Sequence, residues 1–314
     1  MASTTTPLEL AGDPKGATQS SNLWRDTIGN VLRQRSAVVG LILIALLVGV
    51  AVFADVIATT DPNQVLIGVE PGAVRRAPPC VHALGCPPDK PEHLFGLDGN
   101  VRDLFSRVVH GSRISLQVGV LTVGFAIVIG SLIGAVAGFA GGWTETVFMR
   151  LMDVLLAFPS LLLAIVIVTV TGPGLLNAQL AIGIVAIPIY ARVMRASVLS
   201  VREHDYVTAS RALGESNRGI LRRRILPNAM TPIVVQGTLG IGGAILDVAA
   251  LSFLGLGNQP PTAEWGSMIG TESNSVFSAP HLLLFPGIAI VLTVLAFNLL
   301  GDGLRDALDP RLNR

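Results

Sequence analysis

The chain is poor in charge, in lysine and in cysteine. Charged residues occupy 14% of its 314 positions and the formal net charge is +1, so it offers no basic surface for nucleic acid. Its only two lysines, Lys15 and Lys90, follow Pro14 and Asp89. A phosphate-binding loop puts glycine directly before its lysine, so the chain cannot hold ATP in that way. Neither HExxH nor CxxC occurs, which removes two familiar metal and redox signatures. No hydrolase signature is recognisable. The expectation is a chain with no catalytic residue, no metal ligand and no cofactor of its own.

Apolar residues fill that space. They make up 51% of the chain, and the mean hydropathy is +0.63. They gather in charge-free tracts at 36–54, 114–144, 154–191, 225–246 and 273–301. A helix needs roughly 20 apolar residues to cross a bilayer, so these tracts predict an all-α polytopic membrane protein. Six crossings are expected, at about 37–58, 114–140, 148–170, 175–195, 231–254 and 282–300. Pro159 breaks the hydrogen-bond ladder of the third, and TGPG at 171–174 is a strong turn signal after it. Arg192 and Arg195 near the end of the fourth can snorkel to the interface.

Residues 1–22 are polar and read as a disordered tail without an apolar targeting core, which makes the first apolar run a retained anchor. An amphipathic helix and the first crossing fill 23–60, and a loop rich in proline and glycine follows at 61–113. A five-helix core at 114–302 and a tail at 303–314 complete the chain. With the N-terminus inside, sixteen of the 22 lysines and arginines are cytoplasmic, and the other six share the one long translocated loop. The positive-inside rule therefore puts both termini in the cytoplasm. Gly119, Gly124, Gly130, Gly134 and Gly138, with Gly237, Gly240, Gly242 and Gly243, suit either close bundle packing or surfaces that slide.

The strongest signal is SVREHDYVTASRALGESNRGILRRRILPNAMTP at 200–232. From 192 to 227 it sets eight arginines against Glu203, Asp205 and Glu215, a net +5. Residues 205–213 read as a short helix with Asp205 at its start and Gly214 as its stop. A second helix begins at Ser216 or Asn217 and ends at Pro227. A plain connection would be far shorter. The alternatives are an interfacial helix held by anionic lipid and a knob on which a soluble partner docks. Without a nucleotide site in the chain, that partner could supply the energy.

This loop resembles the EAA motif of binding-protein-dependent ABC importer permeases, through Thr208–Ala209–Ser210, Gly214 and Leu226–Pro227. Thr208 stands where the pattern has glutamate and Ser210 where it has its second alanine. Asp205 and Tyr206 restore part of the polar character. Further stretches narrow the resemblance to the DppC/OppC type of dipeptide, oligopeptide and nickel importers. They are LWRDTIGNVLRQRSAVVGLI from 23, DVLLAFPSLLLAI from 153, ALSFLGLGNQPPTAEWGSMI from 250 and FNLLGDGLRDALDPRL from 297.

The resemblance implies the type I ABC importer permease fold in a bacterial plasma (inner) membrane, with cytoplasmic coupling helices in the loop at 200–230. It implies a DppB/OppB-type sister permease, an extracytoplasmic peptide-binding protein and two ABC ATPases that bind ATP and Mg2+. Asp205, Tyr206, Thr208, Ala209, Ser210, Gly214, Leu226 and Pro227 would then be the ATPase-coupling residues. Short peptides are the expected cargo, ahead of nickel chelates and haem; a gradient-driven secondary transporter lacks the matching inverted half. Such permeases also carry a GTDxxGRD-like segment, here GLDGNVRD at 96–103. It keeps Asp98, Arg102 and Asp103, while Leu97 and Val101 replace Thr and Gly. These residues would organise the outer mouth or the contact with the binding protein.

Asp153, Pro159 and Asp247 are the translocation-path candidates. A carboxylate within the membrane must face protein or an aqueous cavity, and Asp247 also suits a structural hydrogen bond or a subunit contact. The five histidines show no metal spacing. Cys80 and Cys86 fall in the translocated loop, where a disulfide can persist; free thiols and a metal pair are the alternatives.

Overall fold

The structure, a computed structural model, describes residue 29 and residues 31–308. The tail expected at 1–22 and most of the amphipathic stretch after it lie outside the described residues, as do residues 309–314. In chain order the main helices are α1 (Arg35–Val52), α2 (Leu104–Ala140), α3 (Gly142–Leu156), α4 (Ser160–Thr171), α5 (Leu175–Arg202), α6 (Asp205–Ala212), α7 (Thr231–Phe253), α8 (Trp265–Glu272) and α9 (His281–Leu308). Strand pairing among the described residues is confined to two isolated bridges, Cys80 with His93 and Leu97 with Asp103.

Helices α1, α2, α5, α7 and α9 are each long and apolar enough to cross a membrane. Helices α3 and α4 pass that test only together, and they meet at 88°. Counted as one broken span, they bring the number to six. The third segment is thus two helices rather than one over 148–170. Pro159 offers no N–H and stands as the N-cap of α4, so the ladder stops at 157–159.

The second segment departs in the other direction. It starts at Leu104 and not near 114, because Asp103 caps it, its Oδ2 accepting from the Ser106 N–H at 2.8 Å. Its 37 residues extend about 55 Å at 1.5 Å each, against a hydrocarbon layer of about 30 Å. Arg107 and Arg113 lie in the part that projects, which is why a charge-free tract understates this helix. Helices α5 and α9 likewise run on to Arg202 and Leu308, past the ends expected for these crossings at 195 and 300. Helix α1 instead ends at Val52, and a single turn at Ala54–Ile57 follows.

Helix α8 has no counterpart in the sequence reading. Its N-cap is Glu264, whose carboxylate accepts from the Gly266 and Ser267 N–H groups at 2.9 and 2.8 Å. Glutamate is outside the usual capping set of Ser, Thr, Asp and Asn. The Trp265 indole donates to the Val108 carbonyl at 2.9 Å and fastens α8 against α2.

Long helices without water to drive them together need close contact. Helices α2 and α5 achieve it through Gly130, Gly134 and Gly138, spaced one turn apart. A Cβ at Gly134 would stand 2.2 Å from the Ala191 carbonyl oxygen, and one at Gly130 2.7 Å from that of Ile187. The neighbours are backbone and cannot turn aside. We predict that Gly134→Val destabilises the protein by about 1–3 kcal/mol or more, the cost of an overpacked contact. Gly243→Ala, where an added Cβ meets nothing within 4 Å, should be nearly silent. Thermal unfolding in detergent distinguishes the two; equal midpoints would contradict the seam.

Candidate functional site

Polar chemistry concentrates at opposite ends of α2. At its C-terminal end, α6 and the turns after it form a knob. Val207 is fully buried and packs with Ala135 of α2, Met194, Val198 and Val201 of α5, and Ile220, Ile225 and Ala229. The base of the knob is therefore continuous with the helix bundle. Arg202 ties it further, donating to the Gly138 carbonyl at 3.1 Å.

Among the described residues, the rest of α6 is largely open, with the Tyr206 hydroxyl bonded to Asn228. Asp205, Tyr206, Thr208 and Ala209 are exposed, Ser210 is half-buried, and Leu213 is 88% exposed. Gly214 leaves the helix at φ +81, the left-handed region that favours glycine. Ser216 caps the next turn, its hydroxyl accepting from the Gly219 N–H at 3.2 Å. Pro227 does not end this second element as expected. A π-helical turn at Ile220–Ile225 passes into a helical turn at Leu226–Ala229, which leads to α7. The wider turn lies directly ahead of the residue whose ring and missing N–H disfavour a regular one. Asn228 holds the two elements together, donating to the Tyr206 hydroxyl at 3.1 Å and the Arg224 carbonyl at 2.7 Å. Glu215 pairs with Arg224 at 3.1 Å.

At the N-terminal end of α2, residues 59–107 fold into a polar cap. Cys80 and Cys86 are joined as a disulfide with their Cα atoms 5.3 Å apart. Asp98 accepts from Arg102 Nε at 2.8 Å and from its backbone N–H at 2.9 Å, and lies 3.5 Å from Arg107 Nε. Burial and the nearby Arg102 charge lower the Arg107 pKa to about 10, which leaves it protonated at neutral pH. Arg107 also donates to the Pro62 and Pro261 carbonyls. Glu272 of α8 accepts from Arg76 at 2.9 Å and from the Gly99 N–H at 2.8 Å.

Asp103 is the centre of this cap. It accepts from the Ser106 hydroxyl at 2.7 Å and the Thr59 hydroxyl at 3.0 Å, and its Oδ1 lies 3.3 Å from His93 Nδ1. Burial raises its pKa, but the His93, Ser106 and Thr59 bonds together outweigh burial and hold it below the usual range. The Asp103 hydrogen bond raises His93 against its own burial, with the Glu70 charge adding to it. Glu70 Oε2 is 3.1 Å from His93 Nε2, a charge contact too misaligned for a hydrogen bond.

Asp98, Arg102 and Asp103 are thus brought together, with Glu70, His93, Thr59, Ser106 and Glu272 as partners the sequence reading missed. The D-x-x-S spacing at 103–106 was a legible capping signal; the others are far apart in sequence. Asp153 pairs with Arg192 at 2.6 Å, so this arginine faces a carboxylate rather than snorkelling alone. Arg195 pairs with Glu145. Asp247 is half-buried in α7. No hydrogen bond or ion pair among the described residues joins Asp153 or Asp247 to the knob or the cap.

Residues 130–314 match the family of binding-protein-dependent transport system inner membrane components, and residues 22–79 match the N-terminal TM domain of oligopeptide transport permease C. The chain belongs to this permease family. It is 43% identical over 312 residues to the dipeptide transport system permease protein DppC of Alkalihalophilus pseudofirmus, covering 98% of this chain and 96% of that one. It is 44% identical to the di/tripeptide transport system permease protein DppC of Pseudomonas aeruginosa, covering 88% and 89%. The glutathione transport system permease protein GsiD of Escherichia coli O6:K15:H31 is 42% identical, with 92% and 91% covered. A chain from an inward facing structure of the MetNI methionine ABC transporter matches with a TM-score of 0.55 at 18% identity, covering 66% of this chain and 98% of that one. That likeness concerns the fold, which is the importer permease fold. As a permease, the chain is a non-catalytic, multi-pass component of an inner membrane.

Val101 stands where the resembling pattern has glycine, and its φ is +59. A β-branched residue is strained there. It is also fully buried, against Leu66 and Leu97. Glycine at 101 would lose packing but release strain of about 1–2 kcal/mol, whereas alanine would lose packing and keep the strain. We predict that Val101→Gly is more stable than Val101→Ala, the reverse of the usual order. Denaturation midpoints compare them directly, and alanine ranking above glycine would refute the strain.

The cap should also respond to pH. The elevated His93 contributes stability that is complete below the ordinary histidine value of 6.5 and is lost as pH rises through its folded value. The depressed Asp103 contributes stability that is complete above its ordinary 3.8 and is lost as pH falls through its folded value. Amide exchange over 93–106, corrected for intrinsic rates, should be slowest in the interval between and faster at about pH 9. His93→Ala should remove the alkaline change; a wild-type profile flat to about pH 9 would count against the linkage.

Proposed function

We propose that this permease is the DppC/OppC-type subunit of an ATP-driven importer of short peptides. An extracytoplasmic binding protein delivers the peptide to a cavity shared with a DppB/OppB-type sister permease. Two ABC ATPases, which bind the ATP and Mg2+, seat the knob at 200–230 and drive alternating access. Both termini are cytoplasmic in this reading, and the disulfide-bearing cap faces the binding protein. Asp98, Arg102 and Asp103 shape that cap from within.

The observation that carries the reading is the two-sided construction of α6. One face is locked into the bundle through Val207, while Asp205, Tyr206, Thr208, Ala209 and Leu213 present an exposed face with small and apolar groups. A loop solvated on both faces needs no such base. The peptide cargo follows from the names of the DppC and GsiD relatives, which transport dipeptides, di/tripeptides and glutathione.

Gly214 tests it. An added Cβ there meets nothing within 4 Å among the described residues, so within the chain only the backbone conformation opposes a side chain. At φ +81 any side chain costs about 1–2 kcal/mol. Gly214→Ala should weaken ATPase co-purification modestly. Gly214→Asp, which adds charge beside the exposed Leu213, should reduce it further and lower peptide uptake in reconstituted vesicles. Membrane insertion and peptide affinity of the binding protein should persist in both. Full ATPase association and wild-type uptake in Gly214→Asp would remove the knob from the coupling surface.

A further inference from the structure

Two ion pairs join α3 to α5 beside the knob. Glu145 Oε1 accepts from Arg195 Nε at 2.6 Å and also meets Nη2. Asp153 Oδ1 accepts from Arg192 Nη2 at 2.6 Å. The pairing of 145 with 195 and 153 with 192 is the order expected of antiparallel helices. Met149 and Met152 lie between the pairs and pack on Ile187 and Ala191. The four charges border an open cleft of about 700 Å3 that Arg150 shares.

Stability does not account for the more exposed pair. The Arg192 and Asp153 side chains are 51% and 48% exposed, and exposed pairs contribute little to folding; the Arg195–Glu145 pair is more sheltered. Their placement is more informative. Val198 and Val201 of α5 pack with Val207, Ile220 and Ile225, so α5 and the knob are one body. Helix α4 packs firmly on the same body, with Ala164 and Val168 buried beside Ala178 and Ile182 of α5 and Val118 of α2. Helix α3 is held by less buried surface. Met152 is its one buried residue, and the break at 157–159 separates it from α4. A displacement of α5 therefore reaches α3 through a narrow apolar contact and two charge pairs.

We propose that Glu145–Arg195 and Asp153–Arg192 are positioning pairs that carry movement of the knob to α3, the first half of the broken helix, and so link ATP use to peptide passage. The inference rests on the knob being the ATPase seat. It assigns Asp153 to transmission rather than to contact with the peptide. A network of this kind acts only through physical contact between bodies that have two arrangements; the bend at Pro159 lets α3 move apart from α4, which is fixed to α5, and the ion pairs join α3 to the body that contains the knob.

The test is peptide uptake per ATP hydrolysed by the complete reconstituted complex. Glu145→Arg, Arg195→Glu, Asp153→Arg and Arg192→Asp should each lower this ratio about five- to tenfold, the range of a lost coupling between interacting charges. The swapped doubles Glu145→Arg/Arg195→Glu and Asp153→Arg/Arg192→Asp should recover most of it. A merely structural role would lower yield without moving the ratio. Glu145→Gln and Asp153→Asn provide milder versions should a reversal block insertion, and they too should lower the ratio. ATPase co-purification should be retained throughout, since the exposed face of α6 is untouched. An unchanged ratio in the single variants, or doubles no better than their parents, would overturn the proposal. A wild-type complex whose ATPases do not bind the knob would overturn the functional reading and this inference together, and co-purification identifies that case.

Discussion

Backbone contact along the α2–α5 seam sets the positions of both polar ends of the molecule. In lipid, apolar side chains gain nothing by exchanging lipid for protein, so helix association depends on close van der Waals contact. Gly130, Gly134 and Gly138 allow that contact over more than two turns, against carbonyls and Cβ atoms of residues 187–198. Because α2 spans the molecule from the cap to the knob, its fixed register against α5 sets the base on which Val207 packs. Placing Asp103 at the other end of the same helix gives the cap a rigid origin.

The charges obey a complementary rule. Buried carboxylates and guanidinium groups are costly unless paired and hydrogen-bonded. In the cap, Asp98, Arg102, Arg107 and Asp103 are all buried, and each has partners close at hand. At the knob the same residue types remain exposed, and the apolar contacts bear the load. One end therefore uses polar groups to hold an irregular chain together. The other uses them as a surface.

Much of this was legible in the sequence because its causes are local. Charge-free tracts mark the spans, Gly214 marks the helix stop, and Asp205 marks a helix start. The errors have physical reasons too. The tract rule began α2 too late, at 114, because Arg107 and Arg113 belong to its first turns. Pro227 looked like a terminator, yet a π-helical turn carries the chain through it. Helix α8 was hidden by an unusual glutamate cap. Glu70, His93 and Glu272 could not be assigned to Asp103 or Gly99, since nothing in their spacing encodes contacts made by folding a 50-residue loop back on itself and onto α8, which lies 173 residues from Gly99 in sequence.

Stiff and soft parts are distributed unevenly, and the distribution itself has a consequence. Helices α2 and α5 share backbone-to-backbone contact, and α6 is sealed onto them by buried aliphatic side chains. Helix α3 instead has a single buried side chain, one half-exposed and one more sheltered ion pair, and a proline break at its far end. Interfaces in packed cores switch between discrete arrangements instead of deforming continuously. Movement of the knob would therefore pass to α5, which shares its packing, and would become relative motion where the buried contact is thinnest, at α3. A permease without chemistry of its own needs such a place, because its work consists entirely of changing which helices touch.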